Sequence, residues 1–225
     1  MSNHIPSDTE KIESYLVSSQ EVISAYVDLR DRMIAFLREL PEGVADTTVP
    51  FCPSWTVQET VSHMVGVPDA LLMGDLDGIA SDEWTQRQVE RHRGLSLAAL
   101  ADKWESQAEE FFKMLHGIPQ PSLSQLVFDV ASHEHDVRQA VGQSGGRNSG
   151  AVAVGVGFLK YTIAKGKKLD VSVIEEWPIS AFEVFRTLGA RRSLEQIAVS
   201  GLDPEFVKDA IAPLPLNIPA VSITE

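Results

Sequence analysis

Apolar residues recur at spacings of three and four over residues 19–39, at Val22, Tyr26, Leu29, Met33, Phe36 and Leu37. That period lays them along one stripe of a long amphipathic helix. Pro41 and Gly43 end it. A loop with two prolines, VPFCPSWTVQE, comes next, and within it Thr56-Val57-Gln58-Glu59 has the form of a capping box. A second helix is therefore expected from Val57 to Met73, with His63 inside it and Trp55 packed at its start. Residues 77–95 are polar and yield no element. Leu97, Leu100, Trp104, Phe111 and Leu115 mark a third helix over Leu95–His116, which Gly117, Pro119 and Pro121 break. Ser122 or Ser124 is expected to cap a fourth, which continues to Gly142.

The segment GQSGGRNSG at 142–150 is the clearest linker in the chain. Beyond it, AVAVGVGFLKYTIAKG reads as either a helix or a buried strand, and its length favours a helix of small residues. LDVSVI reads as a strand, ISAFEVFRTLGA as a short helix, and RRSLEQIAVSGLDPEFVKDAIA as one or two more. The Pro-rich end, PLPLNIPAVSITE, is expected to be extended, and residues 1–14 to fray. Four long helices with short breaks predict a four-helix bundle over residues 15–145. A small α/β domain is expected over 150–225, so the fold class is mainly α.

Composition adds little to this but excludes some partners. A chain of 225 residues that is 44% hydrophobic can build a sizeable core. Its net charge of −13 repels phosphate backbones. The best basic cluster, Lys160, Lys165, Lys167 and Lys168, lacks interleaved aromatics and reads as a solvated helix end, so no nucleic-acid partner is expected. A single cysteine, Cys52, allows no internal disulfide. Residues 1–14 carry no apolar run of the signal-peptide kind. No apolar stretch approaches the roughly 18 residues of a membrane span. A cytoplasmic protein acting on a small molecule is the expectation, with monomer and homodimer both open.

The chemistry concentrates in FDVASHEHDVRQAVG, residues 128–142. On a helix, Asp129, His133 and Asp136 fall on one stripe, because residues three and four apart share a face. An Asp–His pair one turn apart can share a metal ion, and His63 on the second helix is the natural third ligand, since bundle sites draw on facing helices. The same pair can equally be an ordinary ion pair. Glu134 and His135 point away from that stripe and read as bystanders. His92 and His116 lie in polar surroundings and read as solvated surface. Cys52 reads as a buried small hydrophobe rather than a nucleophile. The phosphate-loop, dinucleotide, H-E-x-x-H and nucleophile-elbow patterns are all missing.

Four stretches in order, CPSWTVQETVSHMVG, WTQRQVERHRGLSLAALADKWE, DVASHEHDVRQAVG and FEVFRTLGARRSLEQI, resemble the mycothiol-dependent maleylpyruvate isomerase family, whose N-terminal domain is a DinB-like four-helix bundle. The resemblance covers most of residues 19–199. It implies a divalent metal, zinc first and nickel or another first-row metal after it, held by His63, Asp129 and His133. The family has Glu where this chain has Asp129, one methylene shorter, which would bring the ion closer to the fourth helix. Asp136 is then expected to orient a ligand histidine. The implied reaction is addition of a small-molecule thiol, mycothiol or another of low molecular weight, to an activated double bond, giving isomerisation or S-transfer. Arg138, Arg191 and Arg192 are the expected catalytic-site cations for carboxylate groups, with Arg186 in the same segment. The family's C-terminal domain carries several strands where this chain has only LDVSVI, so that domain is expected to be shortened. A hydrolase or biosynthetic enzyme using metal-bound water, or a non-catalytic metal-binding module, is the alternative reading.

Overall fold

The computed structural model describes residues 8–167 and 169–225. The first half of the tail expected to fray and Lys168 of the basic cluster lie outside it, as does the Lys167 side chain. The helices are α1 (Asp8–Glu13), α2 (Ser19–Glu39), α3 (Val57–Leu72), α4 (Asp82–Arg91), α5 (Leu97–Ser106), α6 (Ala108–Leu115), α7 (Ser122–Ala140), α8 (Gly150–Lys167), α9 (Ala181–Leu188), α10 (Leu194–Val199) and α11 (Pro204–Ile211). The described residues form one sheet, a two-stranded antiparallel hairpin of β1 (Thr48–Val49) and β2 (Cys52–Thr56). None of the described helices is long and apolar enough to cross a membrane.

The fold is mainly α, a DinB-like bundle with a small C-terminal part. Its bundle is the ring of α2, α5–α6, α3 and α7, each packed on the next. All six apolar residues of the α2 stripe are buried, and the Tyr26 hydroxyl accepts the Trp104 indole N–H at 3.1 Å across the core. The capping box at the start of α3 forms: the Glu59 amide donates to Thr56 Oγ1 and the Thr56 amide donates to Glu59 Oε2. Such a cap satisfies two backbone donors that a helix end leaves bare.

Several expectations need correction. The polar stretch 77–95 contains α4, started by Ser81, whose hydroxyl accepts the Trp84 amide. Its short apolar face, Trp84 and Val89, is too brief to show a period. The third helix is two helices broken at Gln107, whose side-chain amide donates to the Val65 carbonyl of α3 at 3.1 Å. α7 begins at Ser122, and neither Ser122 nor Ser124 caps it; Ser124 donates to Gln120 instead. The loop VPFCPSWTVQE is hairpin through Thr56 and helix α3 from Val57. LDVSVI is no strand but part of a 3-10 helix, Val171–Glu176, opened by Asp170, which accepts the Ser172 amide. The described part of the tail expected to fray includes α1. Lys160 is buried, paired with Glu175 at 2.7 Å and set over the Tyr15 ring, not solvated.

α8 is the small-residue helix, and its glycines let other elements come close. A Cβ on Gly155 would stand 2.3 Å from the Phe185 ring, and one on Gly157 would stand 2.4 Å from the Tyr15 carbonyl. Phe185 thereby seats α9 against α8, which itself lies along α2 and α7. One apolar cluster runs from Val22 to Ile211, on both sides of the glycine-rich segment. The seating of α9 carries Arg186, fully buried, to the flank of α7.

Candidate metal centre

α3 and α7 face each other in the bundle, and the meeting point is His63, Asp129 and His133. The Asp129 carboxylate lies between the two rings. Its Oδ2 is 3.1 Å from His63 Nε2 and its Oδ1 is 3.6 Å from His133 Nε2. The rings meet edge to face at 5.1 Å. The three ligand atoms lie within 4.8 Å of one another. Three donors each about 2.0–2.2 Å from a tetrahedral ion stand about 3.3 Å apart, so this donor set fits a divalent cation. Both histidines are buried, while the Asp129 side chain is 38% exposed, which leaves the site open on that side.

The far nitrogen of each ring is also held. His63 Nδ1 is 2.7 Å from Gln88 Oε1 of α4. His133 Nδ1 is 3.6 Å from Asp136 Oδ2. With the Nδ1 protons directed to these acceptors, both Nε2 lone pairs would face Asp129, the tautomer a metal requires. In that tautomer the gap would take a metal ion, and in its absence a proton on a ring serves the same carboxylate. Burial opposes charge on His133, but Asp136, Cys52 and Asp129 outweigh it and push the ring up to about 10. Burial also opposes a charged Asp129, and His63, His133 and Arg191 outweigh it, holding the carboxyl down at about 2. A pocket that favours an imidazolium beside carboxylates favours a metal ion for the same electrostatic reason.

Asp136 is fully buried and meets two arginines besides His133 and Cys52. Arg186 reaches its Oδ1 at 2.8 Å, and Arg191 grips both oxygens through Nε and Nη2. These guanidiniums and His133 overcome burial and keep the carboxyl well below the usual range. The hairpin supplies the remaining wall. Trp55 lies 5.4 Å from the His63 ring and 6.0 Å from the His133 ring, and the Phe51 ring sits under Arg186 at 4.7 Å. Cys52 Sγ is 3.9 Å from His133 Nδ1 and 3.8 Å from Asp136 Oδ2. It is half-buried at the site's edge, not the buried hydrophobe expected, because β2 turns it toward α7.

Of the expected cations, the fold brings Arg191 to the site and leaves Arg138 and Arg192 elsewhere. Arg138 donates to Glu134 at 3.0 Å and lies over the Phe36 ring at 4.1 Å. Arg192 is gripped by Glu183 and Glu225. Glu134 and His135 do point away from the stripe, but both are buried. Glu134 joins Arg32 to Arg138, and Gly145 and Gly146 close over that pair, with Arg138 and Glu134 atoms 2.8 Å from where their Cβ atoms would stand. His135 meets the Phe182 ring at 4.7 Å. His116 is exposed, as expected, whereas His92 is buried, its Nδ1 3.0 Å from the Gln88 carbonyl and its Nε2 3.6 Å from Asp69.

Gln88 is the site residue that the hydrophobic pattern could not reach. It sits in the unassigned polar stretch and is fixed by a close approach that only Gly66 permits: a Cβ there would stand 2.5 Å from Gln88 Cβ. A glycine inside a helix, three residues after His63, is the one signal in the letters.

The family model of the mycothiol maleylpyruvate isomerase N-terminal domain matches residues 26–138. That span holds all three candidate ligands, Gln88 and Asp136, and ends before Arg186 and Arg191. Comparison with curated proteins and with solved structures gives no match.

Proposed function

Because this chain belongs to the mycothiol maleylpyruvate isomerase N-terminal domain family, we propose that it is a metal-dependent enzyme that uses a small-molecule thiol, of the mycothiol type, on an electrophilic substrate. His63, Asp129 and His133 hold the divalent ion. Two imidazoles and one carboxylate suit zinc, and also nickel and other first-row metals. The observation that carries the reading is the convergence of those three donors from two facing helices, with His63 Nδ1 bonded to Gln88 and His133 Nδ1 beside Asp136. An ion held there supplies a Lewis acid that makes a thiol ionise near neutral pH. The thiol supplies a nucleophile for an activated double bond, with isomerisation and S-transfer as its two outcomes.

The side chains of this chain have separate tasks. Gln88 and Asp136 fix ring orientation and tautomer. Trp55 covers both rings on the hairpin side and excludes water there. Asp129 borders the open side, where substrate and thiol enter. Arg191, 14% exposed beside Asp136, is the cation placed to hold a carboxylate of either one. Arg138, paired with Glu134, and Arg192, paired with Glu183 and Glu225, do not reach Asp136 and have no part in this reading.

The test is elemental analysis of the purified protein and of His63→Ala, joined to turnover of a cis-enone acid with and without added mycothiol. One divalent ion per chain, lost in His63→Ala, and turnover that needs the thiol are expected. Metal-free wild-type protein sinks the reading. Turnover indifferent to thiol replaces it with hydrolytic chemistry.

A further inference from the structure

The residues 213–225 carry neither helix nor strand, yet they end in a buried contact. The Glu225 carboxylate bridges two arginines, meeting Arg186 through Oε1 and Arg192 through Oε2, the latter at 2.7 Å. The Arg186 side chain is wholly buried, and its Nε has no acceptor among the described residues. Around it, three guanidiniums, Arg186, Arg191 and Arg192, face three carboxylates, Asp136, Glu183 and Glu225. Asp136, Glu183 and Arg186 sit on helices, Arg191 and Arg192 in the short turn between α9 and α10, and Glu225 at the end of the irregular segment. Without Glu225 the cluster holds one buried positive charge in excess, with a donor still unused, and such a charge demands an anion.

Upstream, Leu214, Leu216 and Ile218 pack on the core. Residues 221–225 are tied by side-chain bonds: Gln139 donates to the Thr224 carbonyl, Gln196 donates to the Ile223 carbonyl, and Ser222 bonds Ser193 and Glu195. Val221 is 70% exposed. A concavity of about 420 Å³ opens beside the segment, between residues 216–220 and Leu194, Lys208 and Ile211. Segments with few buried apolar contacts open at little cost.

We propose that Arg186 and Arg192 form a binding pocket for a small carboxylate ligand, one residue removed from the metal centre through Asp136, and that the chain's own Glu225 occupies it as a displaceable plug. A carboxylate ligand reproduces the two charge-assisted contacts of Glu225 and releases residues 221–225. The pocket shares Asp136 with the candidate metal centre but does not require a metal.

The experiment is run on the full chain after treatment with a chelator, so that its failure is separate from failure of the metal reading. Maleate is the probe, with chloride at equal ionic strength as the control. Calorimetric titration is expected to give weak binding to wild type. Glu225→Gln should bind about tenfold tighter or more, the factor by which a plug in place nine-tenths of the time masks a pocket. Maleate should also speed amide hydrogen exchange over residues 221–225 of the wild type and raise the melting temperature of Glu225→Gln more than that of wild type. Equal affinity in the two proteins overturns the proposal, as does a Glu225→Gln protein that maleate fails to stabilise. If Glu225→Gln does not fold, the wild-type exchange decides: unchanged protection of 221–225 in saturating maleate makes Glu225 a fixed structural ion and ends the idea.

Discussion

His63 Nδ1 lies 2.7 Å from Oε1 of Gln88, across the contact between α3 and α4. This is the shortest polar contact that either ligand histidine makes, and it fixes which nitrogen of His63 can face Asp129. Gln88→Ala should therefore leave the ligands in place but free the ring. Metal affinity is expected to fall about 10- to 100-fold, read by competition against a chromogenic chelator. An unchanged affinity would show that α3 alone orients His63.

Gly66→Ala tests the same contact from the other side. The new Cβ stands 2.5 Å from Gln88 Cβ, with the Gln88 backbone close behind at 3.3 Å. α4 must move off α3, at a cost of about 1–3 kcal/mol. Urea denaturation should show the loss, and chelator competition should show weaker metal binding in the same protein. A stable variant with intact affinity would mean the two helices slide without consequence.

The two carboxylates of α7 that are wholly buried should behave differently. Asp136→Asn leaves Arg186 and Arg191 with a neutral partner inside the protein, and roughly 3–5 kcal/mol of stability should be lost. Glu134→Gln disturbs only Arg32, which is partly exposed, and Arg138, stacked on Phe36. It should lower the urea midpoint less and leave metal affinity unchanged. If Glu134→Gln weakened the metal site as much as Asp136→Asn did, the two networks would not be separate.

Acid should act through His135. Burial against Phe182 and Phe185, with Arg186 and Arg138 adding to it and Glu134 and Asp136 opposing, brings this ring down to about 4. The unfolded chain takes up its proton near the ordinary value of about 6.5. Between those values the unfolded state binds more protons, so stability falls as pH drops from about 6.5 to 4. The loss should reach about 3 kcal/mol. Urea midpoints across that window, compared with His135→Leu, give the check: the variant should lose less. Parallel curves would place the acid sensitivity in other groups.

The long helices were legible because their stripes are long. Val22 to Leu37 spans more than four turns, and Thr56 with Glu59 announces the start of α3. The three candidate ligands followed from spacing on α7 and from a resemblance in four segments. What stayed hidden depends on neighbours in space. α4 shows only Trp84 and Val89 on its buried side, too short a run for a period. LDVSVI has strand-like residues but no partner strand, and Asp170 capping Ser172 turned it helical. Arg186 and Arg191 find Asp136 through Gly155, a residue whose meaning is the ring it lets in. Cys52 reached the site through a hairpin whose two prolines read as loop.

Asp136 lies inside the stretch matched by the family, at residues 26–138, yet both arginines that neutralise it come from residues 186 and 191. A fragment cut to the matched stretch would keep the aspartate and lose its counter-ions, together with the α8 surface that covers α7. The portion of this chain that is recognisable by descent is therefore not self-sufficient in charge. A bundle standing alone would need another counter-ion for that aspartate, or another residue in its place.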